Sequence, residues 1–313
     1  MKMNTGETTS SSITEKMNIN RIKKISGNVI LRFSVYLLLT GFVFVFLYPF
    51  IFMLINSLKY EIDLRSMNRE WVLASFNFSN YSAAFRLMDY SRTLFNSMVL
   101  AGLATIGHIF SCAFVAYGLA RYKFPGNRII FSLVILSILI PPQILMIPLT
   151  IQYNNLGWMG SFLPILVPSF FGLGLKGGLF IFLYMQFFKS LPKAYEESAK
   201  IEGCSPLRIF ISIILPISRT TILVVGSLSA IWHWNDYFEP NTYLTGSNQI
   251  LTQKLADIQI EIKMLYDYIA ISGQTLSPVQ LAACTIIIFP ILLYFFVVQR
   301  KFMAGIEYSG MAN

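Results

Sequence analysis

Long apolar stretches alternate with short charged segments along most of this chain. No Asp, Glu, Lys or Arg lies between Arg32 and Lys59, nor between Arg92 and Arg121. A helix needs about 20 mostly apolar residues to cross a bilayer. We therefore predict an all-α integral membrane protein with six transmembrane helices, near 33–55, 94–118, 129–151, 161–187, 212–233 and 277–299. The segments are too long for barrel strands, and backbone polar groups inside lipid must be satisfied within each segment.

The distribution of basic residues predicts the orientation. With the N-terminus in the cytoplasm, 16 of the 24 Lys and Arg residues fall on the inside, and nine of the 15 acidic residues fall outside. Basic residues concentrate on the cytoplasmic side of membrane proteins. We therefore expect a multi-pass protein of a bacterial cytoplasmic membrane with both termini in the cytoplasm.

This topology divides the chain into four parts. We expect a cytoplasmic N-terminal tail over 1–30, a first transmembrane helix with an external loop over 31–92, a permease core of five helices over 93–300, and a cytoplasmic C-terminal tail over 301–313. The N-terminal tail has no apolar core followed by a small-residue cleavage site, so it does not resemble a signal peptide. The external segment 235–276 could pack on a partner or lie on the lipid headgroups.

Composition agrees with a membrane protein. The chain is 55% hydrophobic and 12% charged, whereas soluble domains carry about 25% charged residues. The net charge of +9 would suggest nucleic acid in a soluble protein, but here it follows the topology, so we expect membrane lipid as a partner and no nucleic acid. The three cysteines lie far apart with no CxxC, which predicts neither a disulfide nor a metal site.

The segment between the fourth and fifth predicted spans carries signals for two short helices. Ala194 to Glu202 favour a helix, and Gly203 suits the left-handed position that closes one. Ser205 can cap a second helix whose first residue is Pro206. We predict a helical hairpin over 191–209 on the cytoplasmic side. A stiff hairpin can carry motion from a soluble motor to buried helices, although an amphipathic loop lying on the membrane without a partner would have a similar pattern.

A specific motif favours the motor interpretation. The sequence Glu197-Ser-Ala-Lys-Ile-Glu-Gly203, nine residues, then Ile213-Ile-Leu215-Pro216 looks like the "EAA" coupling signature of bacterial ABC importer permeases. That signature is Glu-Ala-Ala, three residues, Gly, nine residues, then Ile-x-Leu-Pro, and every spacing fits. The single departure is Ser198, a small residue in place of the first Ala.

Further segments resemble the carbohydrate-uptake branch of that family, and in particular its smaller, maltose-type permease. They are Leu94-Phe-Asn96-Ser97, Ala116-Tyr-Gly-Leu-Ala-Arg121, Ile140-Pro-Pro-Gln143, Trp234-Asn235-Asp236 and Gln299-Arg-Lys-Phe-Met-Ala-Gly305. The C-terminal end departs from many relatives, because it reads Glu307-Tyr-Ser-Gly-Met-Ala-Asn313.

The resemblance implies a type I ABC importer permease fold with a cytoplasmic coupling helix. It implies that Glu197, Ala199 and Gly203 sit in a cleft of an ATPase subunit, and that Leu215 and Pro216 form the junction of hairpin and membrane. It also implies a second, homologous permease, an ATPase dimer that binds the ATP and Mg, and an extracytoplasmic solute-binding protein. This chain itself would bind no cofactor and would carry a sugar or oligosaccharide.

No arrangement for catalysis is present in the sequence. The chain has no Walker phosphate loop, and His108 and His233 have no acidic or cysteine neighbour at metal spacing. We expect His108 to pack between helices and His233 to lie at the membrane interface. These patterns predict no catalytic residue and no metal site, so the chain is not an enzyme.

Lys176 is the one basic residue deep in a predicted span. An intramembrane charge suggests a functional site, so Lys176, together with Asn235, is our candidate for the substrate pathway. Lys176 could instead snorkel to the interface or pair with a neighbouring helix.

Three other functions remain open at this point. The chain could serve an ABC importer of another solute class, such as a polyamine or phosphate. It could be an autonomous ion-coupled transporter, which would need ionisable pairs inside the spans, or a membrane scaffold, which would not need a coupling hairpin.

Overall fold

A computed structural model describes the backbone of residues 7–60, 63, 76–265 and 277–310, and the side chains of 31–60, 63, 76–262 and 277–300. Every regular element in those ranges is helical. The α-helices are α1 (Glu7–Ser57), α2 (Ser79–Leu87), α3 (Tyr90–Arg121), α4 (Asn127–Leu139), α5 (Pro142–Asn155), α6 (Leu163–Phe170), α7 (Gly177–Ser190), α8 (Ala194–Ile201), α9 (Pro206–Ile209), α10 (Leu215–Ile217), α11 (Arg219–Asn235), α12 (Phe238–Tyr243), α13 (Leu251–Leu265) and α14 (Pro278–Gly310).

Three helices of the described chain are each long and apolar enough to cross a membrane. They are the part of α1 over Leu31–Ser57, the whole of α3, and the part of α14 over Pro278–Arg300. The predicted helices at 33–55 and 94–118 lie inside the first two, the predicted helix at 277–299 begins one residue before the third, and all three are confirmed as helices. Two bent pairs, α4 with α5 and the segment Pro206–Ile217 with α11, pass the same test only when each pair is taken together.

The third predicted span is not one helix. Helices α4 and α5 meet at an angle of 103°, and Ile140 and Pro141 between them are both extended, with ψ of 119° and 128°. A residue before proline is driven out of the helical region. Because Ile140 precedes Pro141 and Pro141 precedes Pro142, two successive residues are extended and the helix breaks.

The fourth predicted span is also interrupted. Helix α6 ends at Phe170 and α7 begins at Gly177, and the segment 171–176 between them, which we call the break loop, is not helical. Three residues of this region have left-handed backbones, with φ of +73° at Gly172, +78° at Gly174 and +64° at Lys176. Glycine adopts that conformation at no steric cost, so the glycines permit a break that hydropathy alone does not reveal.

The fifth predicted span, 212–233, begins later than expected. The segment Pro206–Ile217 and α11 are bent by 79° at Ser218, and a π-helical turn occupies Phe210–Ile214. Pro216 has no N–H to donate to the carbonyl four residues earlier, which disrupts an α-helix. The apolar run Ile213 to Ile217 therefore leads into the bend, and the straight helix starts only at Arg219.

Helix α3 lies at the centre of the described bundle. It packs against α6, α7 and α11, and its buried positions include the small residues Ala101, Ala104, Gly107, Ala113 and Ala116. Small side chains let helix backbones approach closely inside a membrane. At Gly107 a β-carbon would lie 3.1 Å from the backbone nitrogen of Phe170, so the two backbones would have to separate slightly to accept a larger residue.

Candidate functional site

The hairpin has the local structure that its sequence predicts. Helix α8 ends in a Schellman motif, in which Cys204 N–H donates to the Ala199 carbonyl and Gly203 N–H donates to the Lys200 carbonyl, both at 3.0 Å. Gly203 has a φ of +77°, as that motif requires. The hydroxyl of Ser205 accepts from Arg208 N–H at 3.4 Å, and Pro206 opens α9. A sharp, hydrogen-bonded turn therefore joins two short helices.

The five residues that the resemblance assigns to coupling fall into two groups. Glu197 and Gly203 are exposed on the hairpin, while Ala199 is buried against the helix core. Leu215 is half-buried and Pro216 is exposed, immediately before the 79° bend. The hairpin therefore attaches through Ala199 and presents Glu197 outward.

The outward surface of the hairpin is partly apolar. Ile201 is 87% exposed, and Tyr195 and Leu207 are about half exposed. Exposed apolar groups grouped on a short element often mark a contact with another protein.

A buried ion pair that sequence reasoning missed anchors the hairpin. Arg121 Nε, in the last residue of α3, lies 2.7 Å from Glu196 Oε1, and the side chains are 6% and 8% exposed. These two atoms are not aligned for a hydrogen bond, so opposite charge holds them together. Arg121 Nη2 also donates to the Leu191 carbonyl at 2.8 Å. The only sequence signal was the position of Glu196 next to Glu197 in the motif.

The break loop is held by side chains of α3. His108 Nε2 lies 2.9 Å from the Leu173 carbonyl and His108 Nδ1 lies 3.1 Å from Ser229 Oγ. Since a carbonyl only accepts, Nε2 carries the proton and Nδ1 accepts from the serine hydroxyl. Ser111 Oγ donates to the Ser169 carbonyl at 2.8 Å. The predicted packing role of His108 is confirmed, and its partner is the unwound backbone.

His233 lies among the helices of the protein, and its position relative to the membrane interface stays a prediction. It is buried, its ring centroid is 5.3 Å from that of His108, and its Nδ1 lies 2.9 Å from the Ser229 carbonyl. Both histidines thus belong to one buried polar cluster around Ser229. Within the described residues, no three His, Cys, Asp or Glu side chains are grouped as metal ligands would be.

Lys176 occupies the end of the break loop. It is exposed, and its Nζ lies 5.7 Å from the ring centroid of Trp232 on α11. A left-handed backbone is costly for a residue with a β-carbon, and such strain clusters at functional sites. Lys176 therefore lies in an irregular segment of the predicted span, against an aromatic ring.

Asn235 is three residues beyond Trp232 on the same face of α11. It is exposed, and its Nδ2 donates to the Ile231 carbonyl at 2.9 Å. Asn235 therefore lies about one turn beyond Trp232, the residue that the Lys176 ammonium approaches.

Two carboxyl groups follow Asn235, and sequence reasoning did not single them out. Burial, with a smaller contribution from the charge of Asp236, raises the pKa of Glu239 to about 8. Burial also raises the pKa of Asp236 to about 6, against the opposing effect of backbone N–H groups such as that of Phe238.

The sequence model of the family described as "Binding-protein-dependent transport system inner membrane component" matches residues 109–307. The chain is 32% identical to the osmoprotective compounds uptake permease protein GgtD of Synechocystis, over 75% of this chain and 74% of that protein. It is 29% identical to the probable starch degradation products transport system permease protein AmyC of Thermoanaerobacterium thermosulfurigenes, over 81% and 87%. The arabinooligosaccharides transport system permease protein AraQ of Bacillus subtilis is 26% identical, over 83% and 88%.

A solved structure has a similar fold. It is the crystal structure of a bacterial ABC transporter involved in the import of the acidic polysaccharide alginate, with a TM-score of 0.68 and 21% identity. The similarity covers 87% of this chain and 96% of that one.

Proposed function

Because this chain belongs to the family of binding-protein-dependent transport system inner membrane components, it is a membrane permease subunit of an importer, and we propose that it carries a sugar or oligosaccharide. The observation that carries the proposal is the coverage of the starch-product and arabinooligosaccharide permeases, each matched over more than four fifths of its length. The osmoprotectant permease has the higher identity, so small osmoprotective compounds are the second candidate substrates.

The energy for transport comes from ATP hydrolysed, with Mg, by a separate subunit. Glu197 and Gly203 form the exposed part of the hairpin that docks on an ATPase dimer, Ala199 holds that part on the helix core, and Leu215 with Pro216 forms its junction with the membrane. The exposed Glu197 and the apolar side chains beside it suit a cleft with basic and apolar walls. An extracytoplasmic solute-binding protein delivers the substrate to the opposite side.

The second permease covers apolar surface that this chain leaves open. Helix α4 has no buried residue, α5 has only Tyr153, and an apolar 18-residue stretch of α1 has none. Lipid covers part of this surface and a homologous permease covers the rest, because a pathway between two subunits requires that some of these helices face a partner.

The chain crosses the membrane six times with both termini in the cytoplasm. Helices α1, α3, α11 and α14 supply four crossings, and the broken pairs α4–α5 and α6–α7 supply the other two. The basic residues support this arrangement. It places on the cytoplasmic side the helix ends and loops that carry Arg121, Lys123, Arg128, Lys189 and Lys193. Lys176 and Asn235 then belong to the substrate pathway, where an ammonium and an amide can donate to sugar hydroxyls.

The first test is purification of the tagged chain from gently solubilised membranes, followed by mass spectrometry. We expect to recover an ATPase and a second permease, and to lose the ATPase on Glu197→Lys. Asp257→Lys, on α13, makes the same change of charge away from the hairpin and should retain it. Recovery of the chain alone would overturn the proposal.

The substrate is tested with vesicles that contain the purified complex, in the presence of the binding protein that stimulates its ATP hydrolysis. Uptake into vesicles is compared for labelled maltodextrins, arabinooligosaccharides and glycine betaine. Uptake of the oligosaccharides supports the sugar assignment, whereas uptake of betaine alone would transfer the assignment to osmoprotective compounds.

A further inference from the structure

Besides its direct covalent connection to α7 at Leu191, the hairpin reaches the membrane helices by two further routes of different stiffness. The covalent route runs from α9 through the π-helical turn Phe210–Ile214 to the 79° bend at Ser218. π-Helical turns and breaks in the hydrogen-bond ladder are where helices bend. A displacement of the hairpin is therefore absorbed partly in this segment before it reaches α11.

The second route is the ion pair between Arg121 and Glu196. Its charges lie 2.7 Å apart in a site that excludes water from both side chains, so salt and solvent screen them little. Arg121 is the last residue of α3 and Glu196 is in the first turn of α8. The partial charges at those helix ends favour a cation and an anion respectively, so the pair joins the two helix ends.

Further hydrogen bonds stiffen this joint. Arg121 also holds the Leu191 carbonyl at the entry to the hairpin. The Asn127 side chain donates to the carbonyls of Leu119 and Tyr122, at 3.1 and 2.9 Å, which fixes the end of α3. The end of α3 and the first turn of α8 therefore move together.

Helix α3 leads directly from this joint to the break loop. The same helix carries His108 and Ser111, which hold the carbonyls of Leu173 and Ser169. A shift of α3 therefore displaces the segment that contains Lys176.

From these contacts we propose that Arg121 and Glu196 are positioning residues that transmit hairpin movement to α3, and through it to the break loop. The inference rests on the proposed function, because it assumes that an ATPase moves the hairpin. It adds that the electrostatic joint, and not the covalent connections to α7 and α11, is the main path by which that movement reaches α3.

The test measures movement at the far end of α3. Spin labels are placed at Ser91→Cys on α3 and Val297→Cys on α14, with Cys204 and Cys284 replaced by Ser. The complex with its co-purified partners is studied in nanodiscs, without nucleotide and after trapping of MgADP with vanadate. We expect the distance distribution between the labels to shift on trapping in the otherwise unchanged chain.

The key variant is the double change Arg121→Gln with Glu196→Gln. It leaves no unpaired buried charge, which would destabilise the single variants. We expect it to retain the ATPase and to trap nucleotide, but to lose the shift and to transport about tenfold less substrate per ATP hydrolysed. The charge swap Arg121→Glu with Glu196→Arg should recover part of the shift. Lys254→Gln with Glu261→Gln, which removes another 2.8 Å ion pair, should leave the shift intact.

The outcomes separate the two proposals. A double variant that traps nucleotide and keeps the full shift overturns this inference alone. A label at Ser91 that does not move on trapping in the unchanged chain also overturns it, because α3 then carries no displacement. Absence of an ATPase from the unchanged complex overturns the proposed function and this inference together.

Discussion

Gly177 faces the carbonyl oxygen of Gly172 so closely that a β-carbon on Gly177 would lie 2.5 Å from that oxygen. The contact closes the break loop on itself, because Gly177, the first residue of α7, packs against Gly172, which lies two residues after the end of α6. Neither atom belongs to a flexible side chain that could move aside. The break therefore requires the absence of a β-carbon here, independently of the backbone angle.

Gly177→Ala should destabilise the protein by about 1–3 kcal/mol, the usual cost of overpacking, and should reduce uptake. The measurement is the thermal unfolding midpoint in detergent, with uptake into vesicles. Gly102→Ala on α3 is the control, because a β-carbon there would meet nothing within 4 Å. An unchanged midpoint for Gly177→Ala would show that the break loop does not hold this close contact.

Gly203→Val should uncouple ATP hydrolysis from transport while leaving membrane insertion intact. A β-carbon at Gly203 would have open space, so the effect arises from the φ of +77°, which costs a β-branched residue about 1–3 kcal/mol. Gly203→Asn is the control, since asparagine tolerates the left-handed region. Uptake and ATP hydrolysis are measured together, and normal coupling in the valine variant would contradict our account of the hairpin turn.

Stability should fall as the pH rises from about 5 to 8. The pKa of Glu239 is about 8 in the folded chain against 4.5 for the free group, so between these values the folded state binds more protons than the unfolded state and loses stability as protons are removed. Asp236, with a pKa raised to about 6, contributes in the lower part of the range.

Glu239→Gln should flatten this dependence, and Glu261→Gln should not. The measurement is the unfolding midpoint at half-unit steps of pH in the same detergent. A Glu239→Gln protein with the full slope would show that this carboxyl is not buried as described.

Lys176→Met should lower sugar uptake several-fold and leave assembly with the ATPase unchanged. The change keeps an unbranched chain but removes the ammonium that lies over Trp232. Lys189→Met is a matched control, because the Lys189 ammonium also lies over an aromatic ring, that of Phe131, at 5.2 Å. Equal losses in both variants would indicate a general effect of removing a cation, and no role in the pathway.

The sequence predicted the hairpin well because its signals are local. Gly203, Ser205 and Pro206 each restrict their own backbone or cap the adjacent turn, so no tertiary contact is needed to place them. The three long helices were predicted for a similar reason, since an uninterrupted apolar run of that length has few other structures available in lipid.

The break at Ile140-Pro141-Pro142 was missed because hydropathy measures side chains and not backbone geometry, whereas the glycines near Lys176 allowed either close helix packing or an unwound turn. Ile140-Pro141-Pro142 lies inside an apolar run, and only the steric effect of each proline on the residue before it marks the break. The ion pair of Arg121 with Glu196 could not be predicted, since it joins two segments that are distant in sequence. The burial of His233 likewise depends on how α3 and α11 pack.

The 103° bend between α4 and α5 also has a consequence for biogenesis. At 1.5 Å per residue, α4 is about 20 Å long and α5 about 21 Å, and both are shorter than the hydrocarbon layer of about 30 Å. A translocation channel that releases one finished helix at a time into lipid has no finished helix to release here. We therefore expect the two pieces to leave the channel as a unit. Tyr243 of α12, which packs against Tyr153 of α5, exists only once a later part of the chain has been made, so we expect this segment to reach its final packing after its insertion.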